Sequence, residues 1–423
     1  MNRLTLRALI IVAIAGLLGA VYYYVRSRSS TLSLVDIPPV RSAGYVVAIR
    51  QMENGNGRLV AIAPDGTFRE PESTSENDDQ TPIWKTDGKR VFFISNRTSD
   101  GSYQLFEWLP DRDNEPKQLT PNGASRSHPW AHPKGGFVVL TSRGNVFKFT
   151  YPALKMLSLF PPGAIVEETP GMERGMEQTE ETRRSHQDDL IIKAWNELSQ
   201  LLEGEAFTEG YVDITEKYFV GIYMTARARA LVVQNLEPSS EQDIPAHVPL
   251  AGETVEVCLD SNSPRAIVNV VDFQYPILSQ IPPEKIKPGG KVEKDFASAI
   301  LVFSLDGKEA PYPIFLDKEG NVAMAGISLS PSGDELAMVV LRKQKDAWVP
   351  QGLLVAPVKP GGISEARRIA EGAIEDPSWS PDGAKLIYVK NGDIYTINRD
   401  GSKETNITKG KGKFSHPSFS PQQ

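Results

Sequence analysis

Cysteine is almost absent from this chain. Cys258 is the single one in 423 residues, which excludes an internal disulfide and every cysteine-ligated metal cluster. Histidine is scarce too: His128, His132, His186, His247 and His416 are scattered. His128 and His416 each precede a proline at the same position of a repeat, which assigns them to the framework of the repeat rather than to a metal. No Gly-x-Ser-x-Gly elbow is present, so peptidase chemistry is not expected. A glycine-rich phosphate loop opening a helix is missing as well. Asp111-Arg112-Asp113-Asn114 lacks the glycine and the distal carboxylate of a calcium loop and reads as a solvated turn. No catalytic residue, metal or cofactor follows from the sequence.

Charge of one sign is not in large excess. The net charge is -7 and the pI about 5.5, so nothing in the overall balance points to nucleic acid as a partner. Long apolar runs are missing except at residues 8–25, which are uncharged, mainly apolar and flanked by Arg3, Arg7, Arg26 and Arg28. At ~1.5 Å per residue this run just spans a ~30 Å hydrocarbon layer, and Tyr22, Tyr23 and Tyr24 suit its interface. The sequence predicts an uncleaved anchor over 1–26, a polar tether over 27–42 and a globular body over 43–423. Arginines balance across the run, and the amino terminus tips the orientation toward an inside N-terminus and an exported body.

What the chain has in quantity is glycine and proline, 34 and 32, spaced as turns between short apolar strands. Residues 376–408 spell one unit: Pro377-Ser378-Trp379-Ser380, a turn at Pro381-Asp382-Gly383, a strand over 385–389, a hairpin at Asn391-Gly392, a strand over 393–398 and a fourth near 404–408. Four antiparallel strands in about forty residues make a propeller blade. The unit restarts at His416-Pro417-Ser418-Phe419-Ser420-Pro421 with one strand only. Residues 45–49, 58–63 and 67–69 read as second, third and fourth strands of a blade without a first. Pairing the C-terminal strand with this trio closes the ring and leaves no unmatched edge. Phe419 is expected to fill the apolar face of that closing strand.

The same unit recurs at Thr81-Pro82-Ile83-Trp84 with Asp87-Gly88, at His128-Pro129-Trp130, and at Ser328-Leu329-Ser330-Pro331-Ser332-Gly333. These residues resemble the TolB-like, WD-repeat-like propellers of bacterial envelopes, whose repeat carries Trp-Ser-Pro-Asp-Gly. Trp379 to Gly383 reproduces that signature in full, and the likeness covers about 41–160 and 322–423. It implies an all-β propeller exported to the periplasm or outside the cell, of a type that serves as docking platform, sensor or enzyme accessory domain. The middle departs from the pattern. An insertion at about 163–205 holds an acidic stretch, 167–181, and a helix over 187–203 capped by Ser185. Beyond it, 210–235 and 254–316 read as degenerate blades, with 276–295 as a long loop. The count is seven blades, or six if the middle forms only one.

One rim gathers the turns between second and third strands and the entries to the next blade. It collects Arg97, Arg126, His128, Arg143, Arg342, Lys343, Lys345, Trp348, Lys390, Lys411 and Lys413. Basic residues around an aromatic suit an acidic partner; the same lysines and arginines also serve as repeat consensus and loop solvation. Two functions remain open. The first is a non-catalytic, membrane-tethered platform that binds another envelope protein or peptide. The second is an enzyme or binder of glycans or other polyanions with carboxylates at the mouth.

Overall fold

Ser380 shows why the repeat turns where it does. Its hydroxyl accepts the Lys385 amide at 2.9 Å and donates to Asp382 Oδ1 at 2.6 Å, while that carboxylate accepts the Ala384 amide at 3.0 Å. Gly383 takes φ +67°, a left-handed conformation that only glycine adopts without penalty. The turn before Glu335 repeats the device, with the Glu335 amide on Ser330 Oγ at 3.0 Å and Gly333 at φ +77°. Local side-chain hydrogen bonds thus set each hairpin before any packing occurs.

The computed structural model describes residues 44–112, 114–160, 186–202, 204–238, 246–277, 281–288 and 292–421. The expected anchor, tether, acidic stretch and Ser185 cap lie outside the described residues. Among the described residues no helix is long and apolar enough to cross a membrane.

The first strands are β1 (Val46–Gln51), β2 (Gly57–Ile62) and β3 (Phe68–Arg69). A second sheet holds β4 (Asp79–Trp84), β5 (Val91–Ser95), β6 (Gln104–Trp108) and β7 (Lys117–Gln118). A third holds β8 (Ser127–Ala131), β9 (Phe137–Ser142), β10 (Asn145–Thr150) and β11 (Lys155–Phe160). Helix α1 (His186–Leu202) follows. The fourth sheet has seven strands in sequence order: β12 (Gly204–Val212), β13 (Tyr218–Thr225), β14 (Arg229–Asn235), β15 (Ala246–Leu259), β16 (Arg265–Gln274), β17 (Ser298–Ser304) and β18 (Tyr312–Asp317). A fifth sheet comprises β19 (Val322–Leu329), β20 (Glu335–Gln344), β21 (Ala347–Pro357) and β22 (Arg367–Glu371). The sixth comprises β23 (Ile374–Trp379), β24 (Lys385–Lys390), β25 (Asp393–Asn398) and β26 (Thr405–Asn406).

The last strand, β27 (Lys413–Phe419), pairs antiparallel with β1, so the first sheet runs β27-β1-β2-β3. This is the pairing that the two incomplete ends predict. One detail differs. Phe414 is the buried aromatic of β27, 5% exposed, packed against Val46, Ala48, Val60 and Ile62 and against Ile387 and Ile394 of the sixth sheet; Phe419 is only half-buried.

Apolar clusters join each sheet to the next. Val47 and Leu59 meet Trp84 and Phe93; Phe92 and Leu105 meet Val138 and Leu140; Val139 and Val146 meet Phe207 and Phe219, covered by Ile191, Trp195 and Leu202 of α1. Ile267, Ile300 and Val302 meet Met324 and Met338, and Val339 and Leu353 meet Trp379 and Tyr388. The seven-stranded sheet folds onto itself. Val220 and Leu231 of its first half pack on Val255, Val268 and Val270 of its second. Strand β15 is the hinge: its start pairs with β14 and its end with β16, around Gly252, where a Cβ would lie 2.7 Å from Val271 O. The two separate degenerate blades of the sequence reading therefore share a strand.

His132 ties the third sheet to the fourth. It is fully buried, stacked on Phe137 at 4.5 Å, with Nε2–H donating to Asp213 O at 3.2 Å and Nδ1 accepting the Lys134 amide at 3.3 Å. Burial, the larger cause, holds its pKa below the usual histidine value even though the Asp213 contact opposes the shift. A depressed folded pKa means the fold binds the proton less well than the unfolded chain. Its stabilising effect is therefore complete above ~6.5 and is lost as pH falls through the folded value. The thermal midpoint of the wild type should drop further between pH 8 and pH 5 than that of His132→Gln; parallel midpoint curves would show that this imidazole is not a titrating contributor.

Candidate partner-binding mouth

Five strands, β4, β8, β19, β23 and β27, carry a kink. Thr81, His128, Asp376 and His416 have φ between +42° and +52°, each immediately before a proline, and Gly326 takes φ +55° in β19. The strand register shifts at each of these bulges. For non-glycine residues such backbone is strained, and the strain is held within the strands at bulges, which re-aim side chains.

Two cavities open there. One, about 210 Å³, is lined by Thr81, His128, Trp130, Glu209, Tyr211 and His416 among others, drawn from four innermost strands. The other, about 380 Å³, lies between the first and second sheets, beside Gln51, Gly57, Asp78, Gln80 and Lys413. Thr81 and His416 line both, so the cavities adjoin.

The rim residues chosen from sequence divide into two groups. Arg97 is framework: its side chain is 9% exposed, its guanidinium lies 2.6 Å from Asp79 Oδ1, and Asp79 is fully buried and also accepts the Leu59 amide at 3.1 Å. Arg126 is 3% exposed and lies 5.6 Å from the Phe147 ring centre. Neither presents its charge to a partner, which corrects the reading of them as rim contacts. Lys390 is engaged with Glu404 at 2.9 Å. His128, Arg143, Arg342 and Lys411 are exposed. Trp348 is half-buried, with its indole N–H toward Asp272 Oδ2 at 3.4 Å and Lys343 Nζ 5.2 Å from its ring; Lys411 Nζ lies 4.7 Å from the Phe68 ring.

Sequence reasoning missed Glu209, Tyr211 and the cavity-lining role of Trp130. Tyr211 donates its hydroxyl to Glu209 Oε2 at 2.5 Å, and burial, then Glu209, raises the phenol well above its usual pKa. Nearby, Glu256 accepts the Gly326 amide at 3.1 Å, the Ile327 amide at 3.4 Å and Asn269 Nδ2 at 3.1 Å. Burial raises its carboxyl above the usual range, and Glu209 adds to the shift. Cys258, whose thiol donates to Ile327 O at 3.1 Å, is pushed up to about 12 by burial and Glu256. Among the described residues no three His, Cys, Asp or Glu are placed to hold a metal ion.

Comparison with known proteins bears on the fold. The model of the dipeptidyl peptidase IV N-terminal region matches residues 333–416. A curated relative, the Tol-Pal system protein TolB of Geobacter sulfurreducens, is 36% identical over 75 residues, which is 17% of this chain and 17% of that protein. Among solved structures, an oligogalacturonate lyase in complex with manganese aligns over 90% of this chain and 92% of its own, with TM-score 0.51 and 11% identity. The fold is a β-propeller. TolB from Acinetobacter baumannii aligns over 92% of this propeller and 69% of its own chain at TM-score 0.46 and 12% identity.

Proposed function

We propose that this chain is a non-catalytic propeller of seven blades, tethered by residues 8–25 in the cell envelope with its body in the periplasm or outside the cell, and that it binds another envelope protein or peptide at its mouth. The seven blades are the six sheets with the seven-stranded one counted as two sharing β15, and β27 closes the ring. The observation that carries the binding reading is the pair of adjoining cavities at the mouth, formed by side chains from several blades. A concave site assembled from several elements is what a docking surface needs. Similarity to the Tol-Pal system protein supports the same reading. Of the carboxylates near this cavity, Glu256 is taken up by three hydrogen bonds and is not among the residues lining the cavity around Glu209.

Full-length protein cross-linked in its native envelope should yield one defined partner. A variant carrying Arg342→Glu, Trp348→Ala and Lys411→Glu should recover it at least about tenfold less, the size expected for an aromatic anchor with rim charges. Equal recovery would place the binding surface elsewhere, and recovery of no specific protein by the wild type would remove the platform reading.

A further inference from the structure

The framework tryptophans explain why one of their number is available for binding. Trp84 and Trp379 each donate the indole N–H to a carbonyl of the neighbouring blade's innermost strand, Ser418 O at 3.1 Å and Ser328 O at 3.0 Å. Trp130 stands one residue earlier in its repeat, directly after His128-Pro129, whereas Trp84 follows Thr81-Pro82-Ile83. Successive side chains of a strand point to opposite faces, so the shift turns this indole from the preceding blade to the following one, where it packs on the cluster around Phe207 and lines the cavity. There it meets Tyr211 edge to face, at 5.7 Å and 82°.

We propose that this cavity is a site for one organic cation, the ammonium or guanidinium end of a lysine or arginine side chain. The proposal rests on the partner-binding reading and names the chemistry by which the partner is held. Trp130 and Tyr211 supply aromatic surface, which attracts cations. Glu209 supplies the countercharge, half-buried and oriented by the Tyr211 hydroxyl. Among the described residues no lysine or arginine pairs with Glu209, so its charge is not already neutralised. A cavity of about 210 Å³ admits the end of a side chain, since even ~10–15 Å³ of such space holds a water. An anion drawn by the imidazoles of His128 and His416 would have to sit against Glu209, so a cation is the better match.

The probe is n-butylguanidinium, with uncharged N-butylurea as its isostere, titrated calorimetrically into the purified full-length chain at pH 8, above the titration range of histidine. The cation should saturate one site, and the urea should bind at least about tenfold more weakly. Glu209→Gln, which keeps an acceptor for the Tyr211 hydroxyl, should weaken the cation by about tenfold or more. Trp130→Ala should do likewise, and Trp130→Phe should restore most of the binding. Equal affinity for the urea, or unchanged affinity in Glu209→Gln, would overturn the proposal. If Glu209→Gln lowers the unfolding midpoint, Trp130→Ala decides alone, and unchanged binding there overturns it too. Partner capture is scored in parallel. Lost cation selectivity with capture intact removes the cation site and leaves the platform reading; selective cation binding without any captured partner does the reverse.

Discussion

Deleting residues 414–423 is expected to abolish the cooperative unfolding transition of the full-length chain, although only ten residues are lost. The strand removed is β27, which forms one side of the ladder on β1. Its loss opens β1 as an edge, a template for aggregation. Further bonds to the second sheet go with it: the Trp84 indole loses Ser418 O at 3.1 Å, and Gly88 O loses the Ser420 hydroxyl at 3.0 Å. Phe414 leaves a hole between the first and sixth sheets. Removing a buried phenylalanine alone costs ~3 to 5 kcal/mol against a domain stability of ~5 to 15 kcal/mol. Phe414→Ala should therefore lower the unfolding midpoint markedly while Phe419→Ala, at a half-buried position, lowers it less. Calorimetry on the three proteins checks this, and an unchanged midpoint after truncation would show a tail that closes nothing.

Arg97→Met should be the most damaging single substitution of a rim arginine, and its effect should be on stability rather than on partner recovery per folded molecule. The Asp79 carboxylate it leaves behind is completely buried, and its other oxygen is already used by the Leu59 amide. Breaking a buried ion pair from one side typically costs ~3 to 5 kcal/mol because a charge stays behind unpaired. The Arg97 guanidinium also bonds Ser95 Oγ at 3.0 Å and Glu72 O at 2.7 Å, contacts that methionine cannot make. Replacing both partners, as Arg97→Met with Asp79→Leu, should recover part of the loss. Denaturant midpoints of the single and double variants measure this; a single variant as stable as the wild type would mean that the carboxylate finds water or another donor.

Strand existence was legible because turn chemistry is local. Asp382-Gly383, Asn391-Gly392 and Ser330-Pro331 punctuate the chain by bonds within a few residues, and the strands they bracket end where expected. The pairing of β1 with β27 was legible for a different reason: each end lacked what the other had. Strand β15 was not, because Pro249, Gly252 and exposed Glu253 read as an interruption, whereas packing on both halves of the sheet carries the strand through them. Arg97 and Arg126 were placed at the correct turns, yet topology does not say whether a turn's side chain points out or folds back onto a buried carboxylate or ring. The cavity-lining Trp130 was written in the one-residue offset of His-Pro-Trp from Thr-Pro-Ile-Trp. Glu209 and Tyr211 carried no motif, since their meaning comes only from the neighbouring blade.

The closed ring underlies every part of this account, because the mouth exists only if β27 lies beside β1. Native-state hydrogen exchange on the intact chain tests it most directly, by comparing amides in β27 with those in β1 and in the central strand β24. Closure predicts that the hydrogen-bonded amides of β27 exchange only through the same global opening as those of β1 and β24. Amides in β27 that exchange like a free tail, while β24 stays protected, would contradict it.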